Sequence, residues 1–355
     1  MVLLEVVMGY FRDNVEKLEG YQPGFQPKAR DVIKLNTNEN PYPPSPAVLK
    51  VLSEINAEKL RRYPAPLADS FRTAAAQIHG VPAENIICGN GADELLNICL
   101  RAFCDESRPV AYPTPTYSLY AVLAKLQNCP AAEIAFDKEF NLPAKLAKTQ
   151  AALTIVCNPN APTGSFINVN ELACLADELR GVLLIDEAYV DFAEDNCLRL
   201  VADFDNVVVV RSMSKGYSLA GLRFGYAVAQ QALRAGLIKV KDSYNVDACS
   251  IAAAAAAIKD QQYFRENVKN IKQDRTILIA QLRALNFRVA ASCGNFVLAE
   301  CKDCKAAEIY AQLVERDIYV RYFNLPGLSD CLRITVGTGR QNAQLILALQ
   351  EILSR

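Results

Sequence analysis

The sequence predicts an α/β protein: a large unit with a mostly parallel sheet sandwiched by helices, then a smaller α+β unit. Three observations predict it. Between residues 67 and 228, helix-like stretches alternate with short apolar runs. Several runs, such as VLLID at 182–186 and VVVVR at 207–211, are apolar almost throughout, as strands are when helices cover both faces of a sheet. After about residue 245 a long helical stretch gives way to shorter strand candidates, a change of pattern that marks a second unit. At 355 residues the chain is long enough for both.

Residues 1–45 read as an arm and connector. MVLLEVVM is short and broken by Glu5, and NTNENPYPPSP at 36–46 is too rich in Asn and Pro for regular helix or central strand. The large unit, 46–245, carries helices over 67–79, 92–104 and 117–127. Its strands are expected at Asn85–Cys88, Pro109–Tyr112, Ala131–Phe136, Ala152–Cys157, Gly181–Asp186, Asn206–Arg211 and Phe224–Val228. The small unit, 246–355, opens with one long helical stretch to about 285, whose alanine run 252–257 suits a close-packed helix face. Strands follow at Phe287–Ala290, Phe296–Ala299, Ile318–Val320 and Leu332–Val336, with helices near 305–316 and 340–353. A cleft between the units is the expected ligand site.

Composition removes several function classes. Lys and Arg number 38 against 39 Asp and Glu, a net charge of −1, which offers no field to hold nucleic acid or an anionic membrane. There is no apolar run of 18 residues and no signal-peptide pattern, so a cytoplasmic protein is expected. The single histidine excludes a His-rich zinc site; His79, at a predicted helix end, is expected to cap carbonyls. The twelve cysteines are scattered singly, and Cys99, Cys157, Cys174 and Cys331 read as buried reduced thiols. Cys301 and Cys304 lack a second pair, so no metal is expected there. Proton transfer must then come from Lys, Asp, Glu, Tyr or a borrowed cofactor.

Functional groups of an open parallel sheet collect at the carboxyl ends of its strands. Gly89-Asn90-Gly91-Ala92-Asp93-Glu94 reads either as a phosphate cradle at a helix N-terminus or as a plain strand–turn–helix. Asn158-Pro159-Asn160-Ala161-Pro162-Thr163-Gly164 must be a shaped loop. Asp186, ending an apolar strand, is either a helix cap or a desolvated carboxylate in need of a donor or cation. Lys215, in Arg211-Ser212-Met213-Ser214-Lys215-Gly216, is a surface lysine or a desolvated nucleophile. Arg223 is expected to begin the next strand and can clamp a phosphate. An amine nucleophile, a buried carboxylate, a phenol and a phosphate cradle together match one cofactor, pyridoxal 5'-phosphate.

The order Asn-Pro-x-x-Pro-Thr-Gly, Asp-Glu-Ala-Tyr, Ser-x-Ser-Lys and Ala-Gly-Leu-Arg-x-Gly-Tyr resembles fold-type-I, pyridoxal-phosphate-dependent aminotransferases. Leu35 to Tyr42, Arg62-Tyr63-Pro64, Gly91 to Glu94, Leu219 to Arg223 and Cys331 to Thr338 narrow the resemblance to the histidinol-phosphate group. The resemblance implies a seven-stranded large-domain sheet, a homodimer, and exchange of an amino group between histidinol phosphate and 2-oxoglutarate. It implies that Lys215 forms the Schiff base and moves the proton, that Asp186 keeps the pyridine nitrogen protonated, and that Tyr189 bonds the phenolic oxygen. It stacks Tyr117 on the ring and gives the phosphate to Gly91, Ala92, Asp93, Ser212, Ser214, Arg223 and, from a neighbouring subunit, Tyr63. It points Arg333 at the substrate carboxylate, and Arg321 and Tyr21 toward the substrate phosphate. Where the common pattern carries an Asn, this sequence has Ala161; Asn160 or Tyr189 alone is left to bond the phenolic oxygen.

Rival readings on the same scaffold are an aromatic aminotransferase and a phosphothreonine decarboxylase. A binding module that keeps the fold without catalysis conflicts with the joint presence of Lys215, Asp186, Tyr189 and Arg223. A nucleotide-binding oxidoreductase would need a third glycine after Gly89-Asn90-Gly91.

Overall fold

The computed structural model describes residues 10–28 and 31–354; MVLLEVVM lies outside them. The arm contributes a short strand, β1 (Ile33–Lys34). The large unit contributes β2 (Ile86–Gly89), β3 (Val110–Thr114), β4 (Ala131–Ala135), β5 (Leu153–Cys157), β6 (Val182–Asp186), β7 (Val207–Ser212) and β8 (Gly225–Ala229). The small unit contributes β9 (Arg288–Val289), β10 (Phe296–Glu300), β11 (Ile318–Tyr319), β12 (Arg321–Tyr322) and β13 (Cys331–Thr335).

Strands β2 to β8 form one seven-stranded sheet in the order β2-β8-β7-β6-β5-β3-β4. Strands β4, β3, β5, β6 and β7 run parallel, and β8 runs antiparallel between β7 and β2. The uninterrupted apolar runs are buried residue by residue in β5, β6, β7 and β8, as double-sided helix packing requires. The reversal of β8 has a consequence for function. The carboxyl ends of β6, β7 and β2 and the amino end of β8 all meet at one edge.

The small unit builds a four-stranded antiparallel sheet, β12-β13-β10-β9, covered by helices 261–284, 306–314 and 339–353. Strand β1 pairs in parallel with β11, and Thr335 N donates to Leu35 O at 2.9 Å, so the arm is sewn onto this unit. Leu35 is fully inside the same core.

Three local expectations change. The long helical stretch breaks in two at Asp260, which ends helix Ala248–Lys259 and caps Gln261–Ala284 by accepting from Tyr263 N. The alanine-rich first half packs against helices 46–53 and 69–79 in the large core, while Val268 onward joins the small core. We therefore propose the domain boundary at Asp260, after the alanine-rich helix rather than before it. Arg223 does not begin β8; it sits before it in the left-handed region, φ 49°. The strand expected at Ile318–Val320 splits into β11 and β12, which join different sheets.

Two side-chain expectations also change. His79 caps no carbonyl: Gly80 N closes the helix on Ala76 O, while the imidazole Nε2 lies 2.7 Å from Tyr226 Oη. Burial pushes that imidazole down to about 3, with Arg211 adding to the effect. Cys174 is exposed on helix Val169–Glu178, whereas Cys99, Cys157 and Cys331 are buried.

One ion pair lies inside the large unit. Arg211, on β7, meets Glu187 Oε2 at 2.8 Å, and the two side chains are 9% and 0% exposed. A buried charge stripped of its partner costs about 3–5 kcal/mol. Glu187→Ala should lower the unfolding free energy by about that amount in urea titrations, whereas Glu187→Leu with Arg211→Met should recover most of it. A small loss in Glu187→Ala would mean that the pair does not organise this edge.

Candidate active site

The edge where β6, β7 and β2 end is set by one row of the sheet. Gly89 pairs with Gly225, and Gly225 pairs with Ser212. A Cβ on Gly225 would lie 2.6 Å from Ala92 N and 2.7 Å from Gly91 C. Glycine there lets the N-terminus of helix Ala92–Phe103 close on the sheet. Gly91 has φ +83°, a conformation that favours glycine, and a Cβ on it would lie 2.6 Å from the Arg223 guanidinium and push that side chain aside. Its N–H already donates to Gly89 O at 2.9 Å. Gly91 therefore shapes the turn, and Ala92 and Asp93 open the helix with the unsatisfied N–H groups of a helix start. Arg223 donates to Ser214 Oγ at 3.3 Å and pairs with Asp93 at 3.2 Å; Ser212 Oγ accepts from Ser214 N at 3.1 Å. Helix N–H groups, two hydroxyls and a half-exposed guanidinium thus converge on one small region.

Asp186 closes β6 and is buried. Its carboxylate accepts from Ala188 N at 3.0 Å and from Tyr120 Oη at 2.7 Å. Burial pushes it up to about 6, against the opposing pull of the Tyr120 and Ala188 donors. No cation pairs with it among the described residues. A buried carboxylate with donors on its flanks and no cation is ready to receive a protonated ring nitrogen.

Lys215 follows β7. Burial lowers its ammonium to about 8, and the Arg333 cation pushes the same way. Its Nζ donates to Thr37 O at 3.3 Å and stands 5.6 Å from the centre of the Tyr189 ring. Asn40 Nδ2 fixes the lysine's own backbone, donating to Lys215 O at 2.9 Å and Gly216 O at 3.1 Å. Tyr189 packs edge-on to Phe296 and accepts from Asn38 Nδ2 at 3.0 Å. Its phenol is raised to about 12 by burial, opposed by Arg333 and the Asn38 bond.

Arg333, on β13, donates from Nη2 to Asn36 O at 2.9 Å and lies over the Phe296 and Phe323 rings at 5.5 and 5.4 Å. Its buried Nε has no hydrogen-bond partner. Arg321 pairs with Arg333 across the β12–β13 ladder, lies over the Phe323 ring at 5.3 Å, and among the described residues donates only to the carbonyls of Gln22 and Pro23. Among the described residues neither guanidinium meets a carboxylate. Burial, reinforced by Arg321 among its neighbours, lowers the Arg333 pKa. Two unpaired cations and an orphaned N–H suit a ligand with two anionic groups. Tyr117 donates to Asp93 Oδ1 at 3.2 Å and packs T-shaped on Tyr21, 5.8 Å between centroids.

Two expected residues stand differently. Asn160 is fully buried and spends its amide on the loop: Nδ2 donates to Pro115 O at 3.0 Å and Thr163 Oγ1 at 2.9 Å, and Oδ1 accepts from Thr116 at 2.7 Å. It holds the loop's shape and has no spare N–H for a ligand. Tyr63 is 80% exposed and stacks on Tyr244 at 4.4 Å, outside the hydrogen-bond network of the other groups. Sequence reasoning assigned no role to Thr37, Asn38, Asn40 or Tyr120. The polar run 36–40 carried a signal, because so many amides in one non-regular segment need partners. Tyr120 carried only its spacing from Tyr117, one helical turn on.

The residues fit pyridoxal phosphate. A desolvated amine, a buried carboxylate without a cation, a phenol and an anion cradle lie along one edge, with free guanidinium groups opposite. The aminotransferase class I and II family model matches residues 30–351. The chain is 49% identical over 346 residues to histidinol-phosphate aminotransferase 1 of Trichormus variabilis, covering 97% of this chain and 99% of that one. It is 44% identical over 342 residues to histidinol-phosphate aminotransferase of Citrifermentans bemidjiense, covering 96% and 98%. The crystal structure of histidinol-phosphate aminotransferase from Sinorhizobium meliloti in complex with pyridoxal-5'-phosphate has the same fold, with a TM-score of 0.88 at 24% identity over 98% of this chain and 99% of that one.

The raised pKa of Asp186 has a definite sign. Without cofactor, the folded state binds this proton up to about 6, whereas an ordinary aspartate releases it near 3.8. The stability this group contributes is therefore full below about 4 and lost as pH rises to about 6. Asp186→Asn should remove a fall of roughly 3 kcal/mol in apoprotein stability over that window, read from urea unfolding at several pH values. A difference between variant and wild type that does not change with pH would refute the assignment.

Proposed function

The chain belongs to the class I and II aminotransferase family, and from that membership we propose how its residues divide the work. The protein is a pyridoxal-phosphate-dependent enzyme of histidine biosynthesis. It moves an amino group between histidinol phosphate with 2-oxoglutarate and imidazole-acetol phosphate with glutamate, in ping-pong order. The near-full-length identity to relatives of that single activity supports the reaction. The observation in this chain that favours a phosphorylated amino-group donor is the second unpaired guanidinium, Arg321, beside Arg333.

When bound, pyridoxal phosphate supplies an electrophilic aldehyde and a conjugated electron sink. The N–H groups of Ala92 and Asp93, Ser212, Ser214 and Arg223 would hold its phosphate, with Gly91 shaping the turn. Asp186 would hold a proton on the ring nitrogen, and Tyr120 would keep that carboxylate aimed. Tyr189 would donate to the phenolic oxygen, and Tyr117 would cover the ring. Lys215 would hold the cofactor through Nζ and, as a free amine, would take and return the substrate's Cα proton. Its lowered pKa suits this, because an amine poised near neutral pH can be both acceptor and donor. Arg333 would bind the α-carboxylate of glutamate. Arg321, with Tyr21, would bind the phosphate of the other substrate.

We infer a homodimer in which Tyr63 reaches the cofactor phosphate of a second copy. The 80% exposure of Tyr63 and its stacking on the half-exposed Tyr244 support this, since they leave a wide aromatic face uncovered. No described helix is long and apolar enough to cross a membrane. Twelve unpaired cysteines support a reducing, cytoplasmic setting.

Lys215→Ala should lose both the visible absorbance of the covalently attached cofactor and all measurable transamination; normal turnover would overturn the role of Lys215. A substrate panel checks the phosphate assignment. Histidinol phosphate should exceed phenylalanine and phosphothreonine in kcat/KM, and Arg321→Ala should lower kcat/KM for histidinol phosphate by about 10- to 100-fold while leaving the glutamate half-reaction within a few fold. Equal losses for both half-reactions would remove Arg321 from the phosphate site.

A further inference from the structure

Asn38 has no role in the scheme above, yet it is bound more completely than most residues near the site. It is 0% exposed and stands in the left-handed region, φ 55°. Its backbone N–H donates to Thr335 Oγ1 at 3.0 Å, its Oδ1 accepts from the same hydroxyl at 3.0 Å, and its carbonyl accepts from Asn295 Nδ2 at 3.0 Å. Thr335 ends β13 and Asn295 precedes β10, so the small unit holds three sides of this residue. The fourth side is the Nδ2 donor, and it points at Tyr189 Oη, 3.0 Å away. The preceding carbonyl, Thr37 O, receives Lys215 Nζ.

This geometry constrains a proton. A phenol oxygen that accepts from an amide must turn its own O–H away from that amide. With Asn38 fixed by Thr335 and Asn295, the Tyr189 proton is left to point into the site. Accepting a hydrogen bond also makes the phenol a better donor, because the two bonds polarise one another. Asn160 has no side-chain N–H to spare, and Ala161 has no polar side chain, so the loop after β5 offers no second side-chain amide to this place.

We propose that Asn38 is a positioning residue that aims and strengthens the Tyr189 hydroxyl, and that it transmits the seating of the small unit to the reaction centre. The inference rests on the role given to Tyr189 above. A donor to the cofactor's phenolic oxygen stabilises the oxygen as an anion and makes the neighbouring nitrogen attached to Lys215 less basic. Weakening that donor raises the pH midpoint of the visible absorption band.

The test is a spectral pH titration of the holoenzyme. Asn38→Gly tolerates the left-handed backbone and removes the amide. Asn38→Asp keeps the acceptor for Thr335 and replaces the donor with an acceptor that captures the Tyr189 proton. Both should raise the midpoint by roughly half a unit to one unit, the Asp variant by more. In a Tyr189→Phe background neither should move it further, which a merely structural contribution would not reproduce. If Tyr189→Phe shifts the midpoint and neither Asn38 variant does, the role of Asn38 fails while that of Tyr189 stands. Equal Asn38 shifts in both backgrounds also overturn it. If Tyr189→Phe leaves the midpoint unchanged, the reading of Tyr189 itself is wrong.

Discussion

In the polar segment Asn36–Asn40, Asn36 and Asn38 are buried and the other three residues half-buried, and the site depends on how its groups are satisfied. Buried amides and carbonyls must find partners or cost about 1–3 kcal/mol each. Asn36 O takes Arg333, Thr37 O takes Lys215, Asn38 links Thr335 to Tyr189, and Asn40 holds the backbone of Lys215 and Gly216. One extended strip of chain thus touches the Lys215 amine, the Tyr189 phenol and the Arg333 guanidinium together. The large unit cannot set Lys215 and Tyr189 independently of the small one.

Desolvation tunes two groups of the site. Taking Lys215 and Asp186 out of water moves one amine down to about 8 and one carboxylate up to about 6. Each approaches the pH at which it can give or take a proton or meet an opposite charge. In the proposed mechanism the work done by imidazole in many enzymes falls to an amine and to phenols. The chain's one histidine lies far along helix Asp69–His79, buried against Tyr226 and held neutral.

Much of this was legible beforehand, for reasons that differ by element. Strands β5 to β8 showed themselves because burial on both faces demands unbroken apolar runs. Lys215, Asp186 and Arg223 showed themselves because polar residues abutting such runs must lie at the sheet's edge. Arg223 was misplaced by one step, because a non-glycine residue in the left-handed region leaves no trace in apolar periodicity. The break at Asp260 was missed because both flanking segments are good helix formers. Cys174 was misjudged because an apolar neighbourhood in sequence does not say which face of a helix a thiol occupies.

By itself, the sequence determined the two-unit pattern and the identity of the groups that end each strand. These follow from local composition and period. Tertiary structure alone decided which of those groups act together. The reversal of β8 brings Arg223 to the edge where β2 and β7 end. The arm's pairing with β11 and β13 carries Asn38 to Tyr189. Asn160, which suits a ligand donor on residue type, is consumed by Pro115, Thr116 and Thr163 instead. A hydrogen bond between residues more than a hundred positions apart has no local signature. It is chosen only when packing has left each buried polar atom a small set of neighbours.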